Sequence, residues 1–342
     1  MMARYFSLLL AAGIVCLSAP LAFAGGELPP VWHLEKDGPG VRMTAHLERR
    51  VVTDGEPVDT LFATPTPPTL PWQDHIVARM SVDGRPAGDQ VTEGSAHKRK
   101  VTVAEFNQTK AVTVATDITA MVYRFRVVAG PPKAAVPDLS RAERAHSLAS
   151  IGNLDYQTPK FQAYIARHDL TWRRHAGESL DDFIQRAARQ VKNDFTYFDG
   201  DQDRHVSALA ASCRGDCGAI NGVFAAVMRQ NGVPAQLWAG FRRLPTMPDA
   251  WQPHVIASVF VPKSGWLPVD LVSGDQVVFA MSGENNAVFV THIDDGFVLN
   301  PKGWSTLCPD WMQPTAFYYR GGKIVSGLDC AAEIKFSKAY NP

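Results

Sequence analysis

Cys217 carries the strongest chemical signal in this chain of 342 residues. It follows Gly215 and Asp216 and opens a stretch where Ile220, Val223, Phe224, Val227 and Met228 recur at helical spacing. Asp216 is a good N-cap, so the thiol falls in the first helical turn. The unpaired amides and the helix dipole there favour the thiolate, which is the nucleophilic form of cysteine. The same amides can hold the oxyanion that forms when sulfur attacks a carbonyl. Gly215 and Gly218 leave little bulk around the sulfur. A small cysteine packing a helix end would read the same locally, so the partners of the thiol must decide.

His254 begins an apolar strand, Val255 to Val261, and Pro262-Lys-Ser-Gly265 turns it toward Trp266-Leu-Pro-Val-Asp270. A hairpin centred on Pro262 sets His254 opposite Asp270. A turn one or two residues later offsets them, and the pattern does not choose between the two registers. Where they meet, the carboxylate orients the imidazole and stabilises its charged form, as cysteine–histidine catalysis requires.

Taken in order, Gly215-Asp-Cys217, the amphipathic helix with Met228-Arg-Gln-Asn-Gly-Val-Pro-Ala235, His254 and Gly265-Trp-Leu-Pro-Val-Asp270 resemble the bacterial transglutaminase-like superfamily. That family is similar in plan to papain-type cysteine proteases. The resemblance spans about residues 179–271. It implies a catalytic triad of Cys217 as nucleophile, His254 as general acid and base, and Asp270 as its orienting partner. It also implies a protein or peptide substrate attacked at an amide through a thioester, with no metal or organic cofactor. Hydrolysis, by a peptidase or amidase, is the leading expectation. Transfer to an amine comes second, and a catalytically inactive peptide-binding module third. Two positions depart from the pattern. Ile256 stands where members often carry an aromatic residue, and Gly218 where cross-linking members tend to carry Trp, which weakens the case for cross-linking. The second oxyanion donor has no clear owner. Tyr197, in Phe195-Thr-Tyr-Phe198, is a candidate beside Gly218, although such aromatics also serve as core. Trp238, Trp251 and Trp266 could line a cleft or pack.

The elements around these residues divide the chain. Ser179 caps a helix whose Phe183, Ile184, Ala187, Ala188 and Val191 form one stripe. Asn231-Gly232-Val233-Pro234 ends the helix of Cys217, and strand patterns run from Ala235 onward. Helices followed by consecutive strands predict an α+β unit with an antiparallel sheet over 139–342. Before it, a Pro-rich linker covers 131–138. Alternating segments between Val41 and Val128 predict a β-rich N-terminal domain over 25–130. His33, His46, His75 and His97 in that front region have no metal-ligand spacing.

Arg4, the apolar run Phe6 to Ala19 and the small residues Ala22 and Ala24 describe a secretory signal peptide over 1–24. The run is shorter than the roughly 20 apolar residues that span a bilayer, and no later stretch could cross one. The expectation is an exported protein, periplasmic or secreted. Cys16 leaves with the signal, and export makes disulfides available. Cys308 and Cys330, with turn signals between them, then form a plausible pair. Cys213 stays open: pairing with Cys217 would put a redox latch on the nucleophile, while a free or otherwise paired cysteine is the plainer reading. A zinc site from Cys213, Cys217, Cys308 and Cys330 has close spacing only in its first two members, so no metal is expected. Lys and Arg number 34 against 34 Asp and Glu, a formal charge of zero. That balance leaves no electrostatic footprint for nucleic acid or an anionic membrane surface.

Overall fold

The computed structural model describes residues 31–94, 98–244, 247–272, 288–294, 297–307, 315–326 and 331–336. The signal-peptide, Cys16, His97, Cys308 and Cys330 expectations therefore fall outside the described residues. The front of the chain is β1 (Trp32–Thr53), β2 (Val58–Pro65), β3 (Gln73–Val82), β4 (Arg85–Pro86), β5 (Asp89–Thr92), β6 (Lys100–Gln108) and β7 (Val112–Ala129). A mixed region follows: α1 (Arg141–His146), α2 (Pro159–Arg167), α3 (Leu180–Asp194), β8 (Thr196–Tyr197), α4 (Val206–Ser212), β9 (Arg214–Gly215) and α5 (Cys217–Gln230). Then come β10 (Ala235–Leu244), β11 (Met247–Val261), β12 (Gly265–Val269), β13 (Val288–Asp294), β14 (Ala316–Arg320), β15 (Ile324–Ser326) and β16 (Ala331–Phe336).

The sheet that positions the site is antiparallel, in the order β12-β11-β10-β13. Leu237, Ala239, Val255, Ala257 and Val259 from this sheet join one core with α3, α4 and α5. Trp238, Ile256, Val288 and Val290 pack elsewhere, against Trp72 and Phe125 of the front region. This alternation is what a strand buried on both faces produces. It explains why the pattern here reads as near-continuous apolar runs. Trp238, fully buried, tilts on Trp72 with ring centroids 4.9 Å apart, and with Trp72 and Trp266 it borders a cavity between the sheet and the front region.

The front strands β1 and β7 form a long antiparallel ribbon that carries β3 on one edge and β15 and β16 on the other. Met43, Ala45 and Leu47 of β1 meet Phe241 and Phe289 of the β12-β11-β10-β13 sheet. Val51, further along the same strand, instead meets Phe62 and Ala104 of a second sheet, β14-β2-β6-β5. Gln73 of β3 ties the two regions: its Nε2 donates to the Val290 carbonyl at 2.8 Å, and its Oε1 accepts from the Val290 amide at 3.0 Å.

The unit over 139–342 is not closed on itself. β14 pairs with β2, and β15 and β16 pair with β1. The last strands thus complete the front sheets, where the sequence assigned them to the back unit. The reason is physical: β1 and β2 would otherwise expose unpaired edges. Nothing in the short pattern of Ala316–Phe336 states which edge it will seek.

Candidate active site

Helix α5 begins where the sequence predicts. Asp216 is its N-cap and accepts from the Ala219 amide at 2.9 Å, while Arg204 pairs with the second oxygen of the same carboxylate. Gly215 lies in a two-stranded parallel ribbon opposite Tyr197. A Cβ on Gly215 would stand 2.4 Å from the Ala219 Cβ, so the approach of ribbon to helix requires glycine. Cys217 is the first residue of α5 and is half-buried, whereas Gly218 to Arg229 are buried. Asn231 closes the helix, followed by Gly232 at φ +74°.

His254 sits in β11 opposite Gly240 of β10 and is 1% exposed. A Cβ on Gly240 would fall 1.9 Å from the Phe289 carbonyl oxygen, so glycine lets β13 close on β10 beside the histidine. The β11–β12 register runs from Val261↔Gly265 to Ala257↔Val269. The turn is therefore centred on Lys263, at φ +67°, and the offset register is the one the chain adopts. Asp270 lies one residue past the last pair, and leaving the ladder brings it to His254. Its Oδ2 accepts from His254 Nε2 at 2.7 Å, and its Oδ1 accepts from the Val272 amide at 3.0 Å.

With Nε2 committed to Asp270, Nδ1 is the remaining imidazole nitrogen, and Cys217 also acts on the protonation of this ring. Burial works hardest on this imidazole and disfavours its charge. The charge and hydrogen bond of Asp270, followed by those of Cys217, outweigh it and raise the pKa to about 9. A histidine that stays charged at neutral pH beside a thiol is the electrostatic setting for a thiolate–imidazolium pair.

The other expected residues fall around this core. Tyr197 is 54% exposed and pairs with Gly215, two residues before the thiol, and burial followed by the charges of Cys217, Asp199 and Asp216 holds its phenol above the ordinary range. Gly218 follows Cys217 in the first turn. Cys213 is a free thiol at the C-cap of α4, in the left-handed region at φ +50°. Its Sγ donates to the Ala210 carbonyl at 3.7 Å, and burial raises its pKa, followed by the charge of Asp194. Cys217 is also free, so no bond joins the two. Trp266 packs edge-on against Phe260, and the side chain of Trp251 lies outside the described residues. Among the described residues no cluster of three or more His, Cys, Asp or Glu is placed to hold a metal ion. The sequence reading passed over Arg204, Gly240 and Asn221. Asn221 alone left a trace, as an amide in the otherwise apolar run from Gly218 to Met228.

Residues 171–271 match the family model of the transglutaminase-like superfamily. Among solved structures, the chain is similar to a protein of Cytophaga hutchinsonii described as a candidate cysteine protease. That likeness has 11% identity and a TM-score of 0.60 over 91% of this chain and 95% of that one. The periplasmic domain of TgpA from Pseudomonas aeruginosa also matches, with 15% identity and a TM-score of 0.34 over 72% of this chain and 77% of that one. The comparison with curated proteins returned no match. The fold is transglutaminase-like: helices packed on an antiparallel sheet, preceded by a β-rich N-terminal region.

Proposed function

We propose that this chain is an exported cysteine-dependent enzyme that hydrolyses peptide or amide bonds through a thioester, with Cys217, His254 and Asp270 as its triad. The family match supports a cysteine-dependent enzyme in general terms. The observation that carries the finer reading is the buried 2.7 Å bond from His254 Nε2 to Asp270, on an imidazole whose charged form Cys217 also favours. Export rests on the sequence of residues 1–24.

In this mechanism the Cys217 proton passes to His254 Nδ1, and the sulfur bonds to the substrate carbonyl carbon. The oxyanion collects charge near the first amides of α5, and Tyr197 is the candidate for a second donor. As the C–N bond breaks, His254 returns the proton to the leaving amine. Water then adds to the thioester and gives its proton to His254, and the acid leaves as that proton returns to sulfur. An amine in place of water would yield transfer instead.

The test is a reduced, purified protein incubated with a casein-like substrate and a fluorescent primary amine, beside the Cys217→Ala variant. New peptide termini that vanish in the variant are the expected result. Label incorporated into protein would replace hydrolysis by transfer. Neither product would overturn the enzymatic reading in favour of a peptide-binding module.

A further inference from the structure

We infer that Asn221 is a positioning residue of this site: its carboxamide is spliced into the β11–β12 ladder between Val255 and Leu271, one residue beyond His254 and Asp270, and sets how those two side chains meet. The inference rests on the reading of Cys217, His254 and Asp270 as the reacting set.

Asn221 is fully buried, one helical turn after Cys217. Its Nδ2 donates to the Val255 carbonyl at 3.0 Å and to the Cys217 carbonyl at 3.1 Å. Its Oδ1 accepts from the Leu271 amide at 3.1 Å. Both amide protons and the oxygen are thus engaged, and a buried amide is tolerated on that condition. The three partners are not arbitrary. One belongs to Cys217 itself, one to the residue after His254 and one to the residue after Asp270.

The register explains what the amide does there. Every β11–β12 pair from Val261↔Gly265 to Ala257↔Val269 keeps the same offset. Continued by two residues, that offset would set Val255 against Leu271. At this step the ladder has ended, and the carbonyl of one residue and the amide of the other meet Asn221 instead of each other. Two hydrogen bonds in series, with an amide between them, hold the strands further apart than a single bond of about 2.9 Å would. Asp270 leaves its ladder position at this widening. The same amide anchors the first turn of α5, so the thiol is referenced to both strands at once. Alanine would free Val255 and Leu271 to pair directly and would narrow the gap that Asp270 uses.

The test compares Asn221→Ala with Val223→Ala in the reduced protein. Val223 is a fully buried neighbour on the same helix whose side chain has no hydrogen-bonding group, and its truncation loosens the same core. Two readouts need no substrate: the pH profile of iodoacetamide alkylation, located at Cys217 by peptide mass mapping, and the NMR titration of His254. Asn221→Ala is expected to slow alkylation at neutral pH by about 10- to 100-fold and to lower the His254 midpoint. Val223→Ala should lower only the melting temperature. Identical profiles in the two variants would overturn the inference and leave Asn221 a packing residue. If Asn221→Ala does not fold, exchange of the Asn221 side-chain amide in the unmodified protein decides. Protection alongside the Leu271 amide supports the splice, and exchange at the solvent rate overturns it. Loss of turnover on every amide substrate, with the His254 titration still responding to Asn221→Ala, would refute the proposed function and keep this inference.

Discussion

Replacing Asp270 by Asn tests the electrostatic core of the site with little change of shape. Asn keeps one oxygen, which can go on accepting from the Val272 amide (3.0 Å in the wild type), and sets an NH2 where Oδ2 now accepts from His254 Nε2 at 2.7 Å. The charge goes, and with it the acceptor that favours a protonated Nε2. His254 is 1% exposed, and its burial is the largest single influence on its protonation, acting against the cation. Without the carboxylate that influence prevails, and the pKa should fall from about 9 to below the ordinary 6.5. A fall of that size removes about 3 kcal/mol or more of imidazolium stabilisation, or a factor of about 300 in the equilibrium constant for the ion pair. The assay is alkylation of Cys217 by iodoacetamide at pH 6, where an ordinary free thiol is only about 0.3% thiolate. The wild type should react far faster than a free thiol there, and Asp270→Asn should lose most of that advantage. A variant that stays within about threefold of the wild type would refute the reasoning, because the thiol would then be activated without the imidazolium.

The same linkage reaches stability. Because the folded pKa of His254 is raised, its contribution is fully present below pH 6.5 and is lost as pH rises through about 9. Urea midpoints should decline across that window in the wild type, while Asp270→Asn should lack the decline and lie below the wild type most clearly on the acid side. Gly240→Ala should destabilise by about 3 kcal/mol or more, since the added methyl meets the Phe289 carbonyl, which is backbone and cannot rotate away. Denaturant unfolding reads that loss, and a change under about 1 kcal/mol would mean β13 moves freely. Asp216→Ala removes the cap of α5 and the partner of Arg204 and should cost about 1–2 kcal/mol. It should also slow alkylation of Cys217, and thermal melts beside the rate would separate the two effects.

What the sequence made legible was local. The start of α5 is written in Asp216 and the apolar repeat behind it, and its end in Asn231-Gly232. The capping of α3 by Ser179 is written likewise, with its side chain accepting from the Asp182 amide. The meeting of His254 with Asp270 was legible only as a choice between registers, because a turn centred on Pro262 and one centred on Lys263 suit Pro-Lys-Ser-Gly equally. The pairing of β14, β15 and β16 with the front strands was not legible, since a short strand does not state which edge it joins. Asn221 shows the limit most sharply. Its strand partners lie 34 and 50 residues away, and both are backbone groups that any residue type supplies. The need for it arises only because the β11–β12 ladder stops at Ala257↔Val269. What a sequence can carry is the trace of that need: one polar side chain on an apolar helix, a turn beyond a candidate nucleophile. Burying an amide in such a place is costly unless every one of its polar atoms is answered. Such a residue therefore points to strand groups that the helix itself cannot identify.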